Sequence, residues 1–144
     1  MKMSKVAIVY WSGTGNTEAM ANLVKAGAEK AGAEVDLITA ADFSADKIGD
    51  YTAIGFGCPS MGDEELEDGE FLPMWEACEA GLKGKKIGLF GSYGWGDGQW
   101  MRTWSEKCDE IGAEQVDDFV IAAGAPEGPA EEKLDDLGRM LARA

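Results

Sequence analysis

The chain has 144 residues, of which 45% are apolar, and its 13 Lys and Arg against 27 Asp and Glu give a formal net charge of −14. This length predicts a single domain, residues 1–144, with enough apolar sequence to form a core. The negative charge argues against nucleic-acid binding, which needs Lys and Arg opposite the phosphates, and the lack of histidine excludes Ser-His-Asp and Cys-His catalysis and His-ligated zinc.

The cysteines and the apolar runs bear on the compartment of the protein. Cys58, Cys78 and Cys108 are widely spaced and form no CxxC motif, so we expect small buried side chains in a reducing compartment rather than a zinc site or disulfides. The apolar residues 6–11 are too few for a signal peptide, and no run approaches the roughly 20 residues of a membrane span. We therefore expect a cytoplasmic protein without a membrane contact.

Strand-like and helix-like patterns alternate along the chain. Continuous apolar runs are typical of buried parallel strands, whereas apolar residues three or four positions apart are typical of helices. In chain order we predict a strand at 5–10, a helix at 17–31, an edge strand at 34–38, a strand at 52–57, a helix carrying Phe71, Trp75 and Cys78, a strand at 86–90, a helix at 99–111, a strand at 119–123 and a helix carrying Leu134, Leu137 and Leu141. This alternation predicts a doubly wound, three-layer α/β fold around a parallel sheet.

The loop after the first strand is a candidate ligand site, because ligands of such sheets bind beyond the carboxyl ends of the strands. It leads directly into a helix and reads Ser12-Gly13-Thr14-Gly15-Asn16-Thr17. Its glycines let backbone amides converge, and its hydroxyls and the helix N-terminus add donors, which predicts a phosphate site built without a cation. A helix cap with no ligand is the alternative interpretation.

Two familiar phosphate motifs fit this loop less well. The Walker motif needs a lysine that the loop lacks, and the dinucleotide motif GxGxxG meets Glu18 in place of its third glycine. A weak dinucleotide interpretation remains, because Asp36 lies near the distance expected of a ribose-binding acid. A terminal monophosphate nevertheless suits the compact, hydroxyl-rich loop better than a pyrophosphate does.

The loops after the third and fourth strands add two features at the same predicted edge. In the earlier loop, Gly62 predicts a turn whose peptide can flip between two conformations. It is followed by acidic residues that we expect to form a solvated face: Asp63, Glu64, Glu65, Glu67, Asp68 and Glu70. In the later loop, Trp95 lies between glycines, placed to stack on a flat ligand, whereas Trp100 and Trp104 follow a helical stripe and are expected in the core.

A phosphate loop, a flexible glycine turn and a stacking aromatic together suit FMN, a flat cofactor with a monophosphate tail. The stretches 10–17, 57–64 and 88–98 also resemble the flavodoxins, specifically the short-chain type of anaerobic bacteria. The resemblance implies a five-stranded parallel sheet of order 2-1-3-4-5 with one non-covalently bound FMN. It also implies a one-electron carrier that shuttles electrons between redox enzymes and is not itself an enzyme.

The resemblance further implies the cofactor contacts residue by residue. The phosphate is expected, with help from Ser92, at Ser12, Gly13, Thr14, Gly15, Asn16 and Thr17. Met61 and Trp95 are expected to cover the two faces of the isoalloxazine ring. The edge of the ring is expected to meet the backbone of Gly62 and Asp63 at N5 and, on its pyrimidine side, Glu64, Tyr93, Gly94 and Gly96. Pro59 and Ser60 belong to the same set, although this chain departs there from the family pattern.

The acidic residues of segment 63–70 are expected to steer transient encounters with basic patches on redox partner enzymes, with the chain acting as a monomer. The excess negative charge is also expected to disfavour the fully reduced, anionic flavin and so to lower its potential. The alternative interpretation is an FMN-dependent NAD(P)H/quinone reductase on the same fold. Such an enzyme would need a substrate pocket and a nicotinamide site beside the flavin.

Overall fold

The computed structural model describes residues 4–13, 15–61, 65–94 and 96–144. In chain order its strands and α-helices are β1 (Lys5–Tyr10), α1 (Asn16–Lys30), β2 (Glu34–Thr39), β3 (Ala53–Gly57), α2 (Phe71–Cys78), β4 (Lys86–Tyr93), α3 (Gln99–Glu110), β5 (Glu114–Gln115), β6 (Val120–Ala123) and α4 (Pro129–Arg143). Short 3₁₀ turns occupy Ala40–Asp42, Ala45–Asp50 and Glu79–Gly81. None of the helices in the described ranges is long and apolar enough to cross a membrane.

The strands form one parallel sheet in which β1 is an interior strand with a partner on each side. Its residue Val6 faces Val35 of β2 on one side and Ala53 of β3 on the other. The sheet continues from β3 to β4 and then to β5, so the predicted order 2-1-3-4-5 is confirmed. The chain passes from β1 to β2 on one side and then returns across β1 to β3 on the other side. The strand order therefore reverses at the crevice between β1 and β3.

The fifth position of the sheet is shared by two short strands instead of one. Lys86 of β4 faces Glu114 of β5, and farther along Phe90 faces Val120 of β6. The connecting segment 116–119 stands opposite only residues 88–89 of β4, so the chain bulges out of the ladder after the Val116 amide, which still donates to the Ile87 carbonyl at 2.9 Å. The pairing with β6 also carries β4 beyond its predicted end, to Tyr93.

The two faces of the sheet carry separate apolar clusters. On one face, α2 and α3 pack their aromatic side chains edge to face, with the Trp75 and Trp104 rings 5.4 Å apart and the Phe71 and Trp104 rings 5.3 Å apart. The predicted burial of Trp100 and Trp104 is confirmed. On the other face, α1 and α4 bury the predicted stripe of Leu134, Leu137 and Leu141.

Helices α1 and α4 approach each other closely at two glycines. A Cβ atom on Gly27 would lie 2.2 Å from the carbonyl oxygen of Asp135, and one on Gly138 would lie 2.1 Å from that of Val24. Only glycine fits at such separations, which are far below any real contact between carbon and oxygen. This contact fixes α1 against the rest of the molecule, and with it the loop at the helix N-terminus.

Candidate functional site

A cleft of about 260 Å³ opens at the carboxyl ends of β1, β3 and β4, where the strand order reverses. Four loops, the end of β4 and the first turn of α1 line it, through Trp11, Ser12, Gly13, Asn16, Thr17, Pro59, Ser60, Met61, Ser92, Tyr93, Gly94 and Gly124. The structure therefore brings together most of the predicted site residues for which it gives a position. Thr14, Gly62, Asp63, Glu64 and Trp95 were also predicted in the site and lie outside the described residues.

The loop between β1 and α1 presents backbone amides at one end of this cleft. Gly15 has a φ of 96°, a left-handed conformation in which glycine is not strained, and α1 begins at the next residue. The Ser12 hydroxyl accepts hydrogen bonds from the amides of Gly15, at 3.1 Å, and Glu18, at 3.3 Å. Among the described residues, the amides of Asn16 and Thr17 have no acceptor. A helix N-terminus with unpaired amides is a binding site for an anion.

Two buried hydroxyl groups lie against this helix N-terminus. The side-chain oxygens of Thr17 and Ser92 are 2.8 Å apart, and the two residues are only 1% and 5% exposed. One hydroxyl donates to the other, and the accepting hydroxyl keeps its own hydrogen for a further acceptor. Because both residues line the cleft, this hydrogen is available to a ligand anion.

The loop from β3 to α2 forms one wall of the cleft. The Ser60 amide donates to the Ser92 carbonyl at 2.9 Å, which holds this loop against the end of β4. Met61 and Glu65 exchange two backbone hydrogen bonds of 2.8 and 2.9 Å. Met61 is 38% exposed and lines the cleft, so it offers an apolar contact surface at the rim.

The third loop begins later than the sequence predicted. Ser92 and Tyr93 lie on β4 rather than in the loop, and the Tyr93 ring packs on the Trp100 ring at 5.6 Å. Gly94 is exposed and lines the cleft, whereas Gly96 is exposed and does not line it. Gly96 has a φ of 88°, so the chain turns sharply there on its way to α3.

A second and larger cleft, of about 540 Å³, lies on the other side of the loop after β1. Its lining includes the carboxylates of Glu18 and Glu70, together with Tyr10, Trp11, Ser12, Gly13 and Gly15. Those carboxylates accept hydrogen bonds from the Tyr10 hydroxyl, at 3.1 Å, and the Trp11 indole, at 3.0 Å. Burial and the bond to Glu18 raise the pKa of Tyr10. Despite its size, this cleft suits a phosphate poorly because two carboxylates face it.

Sequence reasoning missed two residues of the smaller cleft, Trp11 and Gly124. Both follow the end of a parallel strand, β1 and β6, and strand ends at the carboxyl edge were the signal that could have found them. The Trp11 amide donates to the Gly57 carbonyl at 3.0 Å, so the ladder between β1 and β3 continues into the site.

The expectation that all described acids of segment 63–70 form a solvated face is wrong for Glu67, which is only 9% exposed. Its carboxylate accepts hydrogen bonds from the amides of Gly69, at 2.7 Å, and of Glu70 and Phe71, both at 2.8 Å. Burial would raise the pKa of Glu67, but these three bonds outweigh it and hold the pKa below its ordinary value. Glu67 thus fixes the start of α2 immediately after the loop that carries Met61.

Comparisons with known proteins agree with this arrangement. The family model described as Flavodoxin matches residues 8–136. The chain is 45% identical to the flavodoxin of Megasphaera elsdenii over 139 residues, which cover 96% of this chain and 99% of the relative. It is 42% identical to the flavodoxin of Clostridium beijerinckii over 135 residues, covering 94% and 97% of the two chains. The solution structure of the two-electron reduced Megasphaera elsdenii flavodoxin matches the fold with a TM-score of 0.89, covering 96% of this chain and 99% of that one.

Proposed function

This chain belongs to the flavodoxin family, and we propose that it is a single FMN-binding domain that carries single electrons at low potential between redox enzymes. Flavodoxins bind FMN non-covalently and are electron-transfer proteins rather than enzymes. When bound, FMN supplies the redox chemistry, because its ring takes up and releases electrons one at a time. The protein's part is to hold the ring and to set the energy of each electron.

The observation that carries this proposal is the anion site without a cation at the start of α1. It combines the hydroxyl of Ser12, the amides of Asn16 and Thr17, which have no acceptor among the described residues, and the buried hydroxyl pair of Thr17 and Ser92. In the part of the chain that the structure describes, no Lys or Arg lines this cleft. Neutral donors at a helix N-terminus suit a terminal phosphate monoester, and with Gly13, Thr14 and Gly15 they are proposed to hold the FMN phosphate.

The remaining site residues are proposed to hold the isoalloxazine ring. Met61 is proposed to cover one face and Trp95 the other, with the backbone of 62–63 at N5. Glu64 and the backbone of 93–96 are proposed at the pyrimidine edge, with Pro59 and Ser60 beside the ribityl chain. The support for this arrangement is that Met61, Pro59, Ser60, Tyr93 and Gly94 all line one cleft together with the anion site.

A low potential follows from the charge around the site. Negative charge gained by a flavin held here would lie in a protein of net charge −14, next to a cleft whose described lining has no cation. Such a charge is stabilised less here than in water, so the protein opposes the last reduction step. The potential of the bound cofactor is therefore expected below that of free FMN.

The acidic residues beside the cleft are proposed to guide partner binding. Glu65, Asp68 and Glu70 are exposed next to the wall that carries Met61, and none of them forms an ion pair within the described residues. An unpaired acidic edge raises the rate of encounter with a basic surface without requiring a tight complex. We propose transient docking of a monomer to basic patches on redox enzymes.

Reconstitution of the FMN-free chain tests the function. We expect stoichiometric uptake of FMN, flavin absorption bands and quenching of tryptophan fluorescence. Riboflavin, which lacks the phosphate, should bind at least about tenfold more weakly, a difference of about 1.4 kcal/mol. A chain that takes up no FMN would refute the proposal. Rapid turnover of NADH with a quinone by the loaded protein would indicate a reductase rather than a carrier.

A further inference from the structure

Three cysteines are fully buried in this protein, and one of them directly joins the wall of the cleft. Cys58 follows β3 and has 0% exposure. Its amide donates to the Phe90 carbonyl at 3.1 Å, and its carbonyl accepts from the Trp100 indole at 3.2 Å. Its sulfur accepts a hydrogen bond from the Glu67 amide at 3.3 Å. Cys58 is therefore fixed by β4 and α3, and its sulfur in turn binds the backbone amide of Glu67.

We call residues 59–66 the flavin-side loop, because the proposed function places this segment against the ring of FMN. Among the described residues of this segment and its neighbours, two hydrogen-bonded cross-links span the loop. The inner one is the exchange of backbone bonds between Met61 and Glu65, and the outer one is the bond from the Glu67 amide to the Cys58 sulfur. Glu67 is itself held at the start of α2 through its carboxylate. The outer cross-link thus connects the end of β3 to the start of α2 across the base of the loop.

We propose that Cys58 is a positioning residue for the cofactor, because its sulfur fixes the base of the flavin-side loop through the Glu67 amide. The inference rests on the proposed function. A loop held at its base loses less conformational freedom when a ligand binds, so more of the contact energy appears as affinity. A contact between the loop and the ring that differs between redox states also needs a loop of defined conformation.

The ordinary role of a buried cysteine is to fill apolar space, and Cys78 and Cys108 fit that role. Cys108 is as buried as Cys58 but lies on α3, away from the flavin-side loop. Cys78 has the Met74 sulfur as its hydrogen-bond contact, at 3.8 Å within α2. The geometry around Cys58 differs because its sulfur is the hydrogen-bond acceptor of the Glu67 amide, at the far end of the flavin-side loop.

The thiol has the chemistry that this bond needs. Burial raises the pKa of Cys58 to about 12, so the group stays a neutral thiol at physiological pH. Its S–H points to the Pro59 carbonyl at 3.6 Å, which leaves the sulfur lone pairs for the Glu67 amide. Alanine would leave that buried amide without its acceptor, whereas serine would keep an acceptor on a shorter bond.

The test compares Cys58→Ala and Cys58→Ser with the matched control Cys108→Ala. Amide hydrogen exchange of Glu67 is measured in the FMN-free chain, and the FMN dissociation constant and the two one-electron midpoint potentials are measured in the loaded protein. For Cys58→Ala we expect at least tenfold faster exchange at Glu67 and roughly tenfold weaker FMN binding. If the affinity for one redox state fell threefold more than the affinity for the next, the potential between them would shift by about 28 mV.

The controls separate positioning from packing. Cys58→Ser should give smaller changes in the same direction and provides the measurement if the alanine variant does not fold. Cys108→Ala should lower the unfolding temperature but leave Glu67 exchange and FMN affinity within about twofold of the wild type. Both potentials should stay within about 18 mV, the shift that a twofold difference in affinity would produce. Unchanged Glu67 exchange in both Cys58 variants, or faster exchange with unchanged affinity and potentials, would overturn the inference. A wild-type chain that does not bind FMN would instead refute the proposed function, and the inference with it.

Discussion

Replacing Glu67 with Gln tests whether a buried carboxylate holds the loop and helix beside the cleft. One carboxylate oxygen accepts from the amides of Glu70 and Phe71, and the other accepts from Gly69. A glutamine can place its oxygen at only one of these positions. Its NH₂ group then faces an N–H donor, which the structure places 2.7 Å from the present oxygen.

The expected loss follows from this count of bonds. A hydrogen bond to a charged acceptor contributes about 1.5–3 kcal/mol and a neutral one about 1 kcal/mol. Glu67→Gln removes one charged bond and converts two others to neutral ones, so we expect a loss of at least about 2.5 kcal/mol in the free energy of unfolding. Glu67 is 9% exposed, so solvent screening lowers this value little. Asp68→Asn is the matched control, because it removes the same charge from an exposed neighbouring residue.

The pH dependence of the loss is a second signature. The pKa of Glu67 lies below its ordinary value of 4.5, so its stabilising effect is complete above that value and is lost as the pH falls through the folded-state pKa. Urea unfolding of the FMN-free chain, followed by circular dichroism at about pH 7 and about pH 3.5, measures both effects. A Glu67→Gln loss within about 0.5 kcal/mol of the Asp68→Asn loss, or one that stays constant in acid, would refute the reasoning.

Three further results are expected. Thr17→Ala should weaken FMN binding about tenfold in isothermal titration while changing riboflavin binding much less, because its hydroxyl belongs to the anion site that we propose for the phosphate; equal effects on both ligands would contradict this. Gly138→Ala places a Cβ 2.1 Å from the Val24 carbonyl and should cost about 1–3 kcal/mol of stability in urea unfolding, whereas Gly49→Ala, with open space, should be nearly neutral. The lower midpoint potential should rise with added salt relative to that of free FMN, and a potential independent of salt would show that the net charge is not its cause.

The sheet and its order could be predicted because their signals are local. The continuous apolar run of β1 indicates an interior strand. The alternation of polar and apolar residues in β2 indicates an edge strand, which the strand order and the half-buried residues of β2 confirm. The ends of two helices could also be predicted, because the predicted helices 17–31 and 99–111 are each followed by a glycine. These residues, Gly32 and Gly112, have φ values of 97° and 83°, a conformation that glycine adopts without strain. The spacing of apolar residues and the residue types that favour turns are properties of neighbouring positions, so they can be recognised directly in the sequence.

Gly91 shows where local signals mislead. The predicted strand ends at residue 90, which places Gly91 in the following loop, yet Gly91 lies within β4, where a Cβ would come within 2.1 Å of the Cys58 carbonyl oxygen. The glycine is required by the close approach of two chain segments rather than by a turn. For this reason Ser92 and Tyr93 are strand residues, and Ser92 is buried against Thr17.

The sequence by itself determined the alternation of strands and helices, the phosphate loop and the family of this protein, because each is written in contiguous residues. Only the tertiary structure decided which polar groups meet around the site, as in the side-chain pairs Thr17 with Ser92 and Trp11 with Glu70, and in the bond from the Glu67 amide to the Cys58 sulfur. The physical reason is that a parallel sheet brings the carboxyl ends of separated strands to one edge, while the partner of each polar group there is chosen by packing and by the cost of burying it unpaired.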